Sequence, residues 1–109
     1  MATTYKVLGQ VAPSATTATT LDTVPSATQC VVSTIVVCNR AATSATYRIA
    51  VRPAGATLAN EHYIAYDSTV AANDSTMLTI GITLGAADVI TVYASTANLS
   101  FSAFGSEIS

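Results

Sequence analysis

Charge is what this chain has least of. Charged residues make up 9% of its 109 positions, against roughly 25% in an average soluble domain. The four cations, Lys6, Arg40, Arg48 and Arg52, form no stripe, and a phosphate backbone needs clustered cations. Nucleic acid is therefore not an expected partner. The six carboxylates, Asp22, Glu61, Asp67, Asp74, Asp88 and Glu107, are scattered singly, which excludes a polyanion mimic.

Catalytic raw material is equally thin. His62 is the only histidine, so no second one could complete a zinc site, and it is the sole imidazole able to serve as a base. In its loop it reads as a plain surface residue. Carboxylates near turns normally accept backbone N–H bonds rather than act in pairs. The five glycines form neither a GxGxxG nor a Walker pattern, and no calcium-loop spacing occurs. The expectation is a non-enzyme with no cofactor and no metal.

Long apolar runs are missing too. The longest stretches, residues 30–32 and 35–38, are separated by Ser33 and Thr34 and fall far short of the roughly 20 residues of a membrane-spanning helix. No membrane partner is expected. Residues 1–10 carry one lysine and no apolar signal core, so synthesis in a cytoplasm is the expectation. Cys30 and Cys38, if on one strand, stand about 26 Å apart, beyond disulfide reach, and read as buried free thiols.

What is present is β-structure. The length suits one domain, residues 1–109. Turn signals at Pro25-Ser26, 53–55, 72–74, 85–88 and 95–98 divide β-branched segments at intervals of roughly ten residues. Residues 5–10, 19–24, 29–39, 47–52, 63–70, 77–82, 89–94 and 99–104 read as strands, with residues 58–62 a short helical or irregular crossover. No segment carries a 3.6-residue apolar period. The expected fold is all-β, a single-domain antiparallel β-sandwich of about eight strands, jelly-roll-like or immunoglobulin-like. An immunoglobulin domain proper would want a tryptophan between paired cysteines, and this chain has no tryptophan.

Segment 29–39 is apolar on both faces. Regular alternation places Val31, Ile35 and Val37 on one side and Cys30, Val32, Val36 and Cys38 on the other. With hydrophobic residues at 50% of the chain, such a strand calls for cover on its second face, and another subunit could supply it. Val32, Ile35, Val36 and Cys38 are the candidate interface. Tyr47, Tyr93 and Phe101 share parity with inward residues and read as core. Arg52, His62, Tyr63 and Tyr66 form a candidate contact patch, and Arg48 and Arg52, on one strand face, could bridge subunits or hold an anionic sugar.

The run VVSTIVVCNRAATSATYRIAVRPAGATLANEHYIAYDSTVAANDSTMLTIGITLGAADVITVYAS resembles small virion structural proteins of tailed bacteriophages, of the cyanophage and marine-phage type. The likeness covers about residues 17–107 and rests on CNRAATSATYRIAV, the RPAGA turn, HYIAYD, the VAANDS turn and LGAADVITVYAS. It implies a protein made in the host cytoplasm and incorporated into a virion as a capsid decoration, neck, tail or fibre component. The implied partners are other copies of the chain and other virion proteins, with a trimer as the first expectation by analogy with phage decorations and fibres. A receptor- or glycan-binding module of a tail fibre is the alternative. The resemblance carries no catalytic residues.

Overall fold

A computed structural model describes residues 2–109. Eight strands follow one another: β1 (Thr3–Val11), β2 (Thr19–Thr23), β3 (Gln29–Asn39), β4 (Ala45–Arg52), β5 (Tyr63–Val70), β6 (Ser75–Leu84), β7 (Val89–Ala94) and β8 (Leu99–Ile108). Two short 3-10 turns, Pro53–Gly55 and Asn60–His62, fill the β4–β5 connection. The strands form two four-stranded antiparallel sheets, ordered β1–β8–β3–β6 and β2–β7–β4–β5. Every strand pair but one joins strands distant in sequence, and the two orders together are those of a jelly roll, not of an immunoglobulin domain.

The core lies between the sheets. Ile35, Val37, Leu99 and Phe101 from the first sheet meet Tyr47, Ile49, Ile90 and Val92 from the second, and the Tyr47 and Phe101 rings pack edge to face at 6.2 Å. Tyr93 is not in this core: it alternates with Val92 and Ala94 and projects outward, which corrects the expectation from parity. The cause is that β7 is covered on both sides, so apolar residues no longer mark its inner face.

The sharper correction concerns β3. Its pairing with β8 slips between Val32 and Thr34, where Ser33 is an extra residue. This bulge moves every later side chain to the opposite face. Cys30, Val32, Ile35, Val37 and Asn39 consequently all point inward and are buried, whereas Val36 and Cys38 are half-exposed on the outside. A matching irregularity at Ile80 and Gly81 in β6, where Gly81 has φ +51°, keeps Leu78 and Ile82 against the core and leaves Ile80 exposed.

Asn39, buried at the end of β3, organises one end of the sandwich. Its Nδ2 donates to the carbonyls of Thr43, Val70 and Ala71 at 2.8–3.3 Å, and its Oδ1 accepts from the Ala41 N–H at 3.0 Å. At the other end Asp88 does similar work, its two carboxylate oxygens accepting from the N–H groups of Ala54 and Gly85, each at 2.8 Å.

Candidate functional site

The two outer faces differ in chemistry. On the four strands of the β1–β8–β3–β6 sheet only Lys6 and Glu107 are charged. Both project toward the second sheet and pair with each other at 2.9 Å. The outward positions therefore carry no formal charge. Instead they present Tyr5 (83% exposed), Val7, Phe104 and Met77 (70% exposed), with Val31 and Val36 half-buried between them. Register aligns these residues in rows: Val7 opposes Phe104, which opposes Thr34, and Met77 opposes Val36. Tyr5, Val7, Val31 and Phe104 border a shallow depression of about 670 Å³.

The expected interface divides accordingly. Val32 and Ile35 are fully buried in the chain's own core and leave that set: Val32 lies inward with Cys30 ahead of the bulge at Ser33, and the bulge turns Ile35 onto that same inner face. Val36 and Cys38 remain on the outer face. The thiols divide the same way: both are free, but only Cys30 is buried.

The outer face of the β2–β7–β4–β5 sheet is aromatic and cationic. Arg48 lies between two tyrosine rings, its guanidinium carbon 4.2 Å from the centre of Tyr66 and 4.3 Å from that of Tyr93. Asp67 holds the same guanidinium, accepting from Nε at 2.7 Å and from Nη2 at 3.4 Å. This ion pair holds the Arg48 guanidinium in its charged form above its ordinary range. The arrangement depends on a second irregularity, in which Tyr66 and Asp67 stand opposite Arg48 and Asp67 takes φ +51°, a conformation that Asp tolerates better than most residues. Tyr63 meets Tyr66 edge to face at 4.9 Å.

Of the expected contact patch, then, Tyr63 and Tyr66 do come together. Arg52 shares their face but bonds elsewhere, donating from Nε to Thr91 Oγ1 at 3.1 Å and from Nη1 to the Ala56 carbonyl at 3.2 Å. His62 is tied into its own turn: Nδ1 accepts from the Ala59 N–H at 3.1 Å, which fixes its tautomer with the proton on Nε2. Arg48 and Tyr93, which complete the cluster, escape sequence reasoning because nothing local announces the bulge opposite Arg48. The only advance signal is the pairing of Arg48 with Arg52 on one strand face.

A third cluster closes one end of the sandwich, where Lys6, Asp22, Cys30 and Glu107 converge. Burial, and next the nearby Glu107 charge, push the Asp22 carboxyl above its usual range, and its Oδ2 is buried without a hydrogen-bond partner. Burial, then the Asp22 and Glu107 charges, push the Cys30 thiol up to about 11. Among the described residues no three His, Cys, Asp or Glu side chains are placed to hold a metal ion, and no helix is long and apolar enough to cross a membrane.

In comparison with known proteins, no family model, no curated protein and no solved structure matches this chain.

Proposed function

We propose that this chain is a non-enzymatic structural subunit that assembles through the outer face of its β1–β8–β3–β6 sheet. One observation carries the reading: a whole sheet face without a formal charge, bearing Tyr5, Val7, Phe104, Met77 and Val36. Four strands of about ten residues project roughly 600 Å². With side-chain relief added, this approaches the roughly 800 Å² that each partner of a stable complex buries. Exposed apolar side chains gathered on one such face, among hydroxyl residues such as Ser102 and Ser106, mark an interaction site. An uncharged face fits another uncharged face, and a second copy of the same sheet provides one. Burial at about 25 cal/mol per Å² drives association before its entropic cost is subtracted.

The setting comes from the resemblance: the virion of a tailed phage, as a capsid decoration or a neck or tail accessory, in contact with itself and with other virion proteins. A second reading, a receptor- or glycan-binding module of a tail fibre, is favoured by the tyrosines and guanidinium groups gathered on the opposite face.

Sedimentation velocity at micromolar concentration tests the assembly. The native chain is expected to sediment as an oligomer, and Tyr5→Glu with Phe104→Glu as a folded monomer. A native chain that stays monomeric alone, and does not bind particles lacking it, overturns the proposal.

A further inference from the structure

Each sheet ends in two edge strands, β1 and β6 in one, β2 and β5 in the other. An edge exposes unpaired backbone N–H and C=O groups, and proteins blunt such edges with short strands, bulges or inward-pointing charges. Three of the four edges here are blunted. β2 has five residues and a register shift after Thr20. β5 is interrupted twice against β4, and Asp67 takes φ +51° within it. β1 turns the charge of Lys6 inward and is broken at Leu8. β6 is the exception: it carries no charged residue, and Ser75–Thr79 pair with Thr34–Cys38 in an unbroken run.

The direction of its free groups follows from one bond. The Asp74 carbonyl accepts from the Asn39 N–H at 2.8 Å, so Asp74 faces β3. Alternation along an antiparallel strand then turns the backbone groups of Ser75, Met77 and Thr79 to the open side. The Ser75 N–H is taken by Asp74 Oδ1 at 2.8 Å. The N–H groups of Met77 and Thr79, and the carbonyls of all three residues, have no partner across that edge among the described residues.

This segment is complementary to itself. Two copies related by a two-fold axis at Met77 run antiparallel, with Met77 opposite Met77 and Ser75 opposite Thr79. Each Met77 N–H then meets the other Met77 carbonyl, and each Thr79 N–H meets a Ser75 carbonyl. The register is pinned from both ends. A slip one way brings the two Asp74 carboxylates together, and a slip the other way runs into the break at Ile80 and Gly81, where Gly81 has φ +51°. Leu78, only partly buried at the margin of the core, gains Thr76 of the second copy as a neighbour. We propose that β6 pairs with β6 of a second copy, joining two four-stranded sheets edge to edge into one. The contact uses backbone groups of the edge rather than side chains of the outer face, so the two contacts are separable. Five residues of strand span about 17 Å, and their pairing buries far less than the roughly 800 Å² per partner of a stable complex. The edge alone therefore associates weakly, and it adds avidity where copies are already held together.

The test is disulfide trapping in the full chain carrying Cys38→Ser, which leaves the buried Cys30 as the only native thiol. Residues opposed in such a pair have Cα atoms about 5.5 Å apart, within disulfide reach. At about 300 µM chain, with copper phenanthroline as oxidant, Met77→Cys is expected to form a linked dimer about tenfold or more faster than Thr83→Cys, an exposed position of β6 beyond the break. Adding Tyr5→Glu and Phe104→Glu should leave that advantage in place. Adding Thr79→Pro, which removes an edge N–H and no bond to β3, should abolish it, with an unchanged melting temperature as the check on folding. Equal trapping at Met77→Cys and Thr83→Cys overturns the proposal, as does an advantage that survives in the folded Thr79→Pro chain. An advantage lost on Tyr5→Glu with Phe104→Glu assigns the contact to the outer face, and overturns the edge pairing while sparing assembly through that face.

Discussion

The hydroxyl of Ser33 on β3 donates to the carbonyl of Phe104 on β8 at 3.1 Å, across the bulge that decides which way half of β3 faces. Gly105 lies beside the same bulge. A methyl group there would run into the Val31 carbonyl and the Val32 Cα, all of them backbone atoms that cannot swing aside. Gly105→Ala is therefore expected to prevent stable folding, seen as loss of the cooperative thermal transition. Ser33→Ala, which removes one hydrogen bond, should cost about 0.5–1.5 kcal/mol in denaturant unfolding.

Most of the fold was legible before its geometry was, and the limit falls at this bulge. The strands at 29–39, 63–70 and 89–94 match their expected bounds residue for residue, because β-branched density and turn punctuation are local properties. Face assignment is not local. The extra residue at Ser33 is stabilised by Phe104, 71 positions away, and no alternation rule sees that partner. The tyrosine cluster was half legible for the same reason: Tyr63 and Tyr66 are neighbours in sequence, whereas Arg48 and Tyr93 join them only through strand pairing.

The two faces of β3 make a paired prediction. Ile35 is fully buried, so Ile35→Asp places an unpaired charge in the core and should unfold the chain. Val36, its neighbour, faces outward. Val36→Asp should leave the circular dichroism spectrum and melting transition close to native, while reducing the sedimentation coefficient to that of a monomer. A Val36→Asp chain that still assembles would remove the outer face of β3 from the interface.

Asn39 makes four hydrogen bonds from a fully buried side chain. Asn39→Leu keeps the branching of the side chain but is bulkier and satisfies none of the four, and leaves the Ala41 N–H and three carbonyls to find other partners. The expected loss is about 2–4 kcal/mol, measured by urea unfolding. The effect should be largest in hydrogen exchange of residues 40–44 and 70–74, whose turns the amide holds together.

Asp22 predicts the sign of a pH effect. Its carboxyl is held above the ordinary value of 3.8 first by burial and then by repulsion from Glu107, with a bond from the Thr23 backbone and then Lys6 opposing both. The folded chain consequently binds this proton more tightly than the unfolded chain does. Its contribution to stability is complete below the ordinary Asp value and is lost as pH rises through the raised folded one. At neutral pH the ionised, half-buried carboxylate is a liability. Asp22→Asn keeps the shape and removes the charge, so it should raise the melting temperature at pH 7. The gain should shrink as the pH is lowered and vanish below the ordinary Asp range, where the native residue is protonated in both states. Melting curves of the two proteins from pH 3 to pH 8 check this: parallel curves, or a variant less stable at pH 7, would mean that Asp22 is paired more favourably with Lys6 than its buried, unbonded Oδ2 indicates.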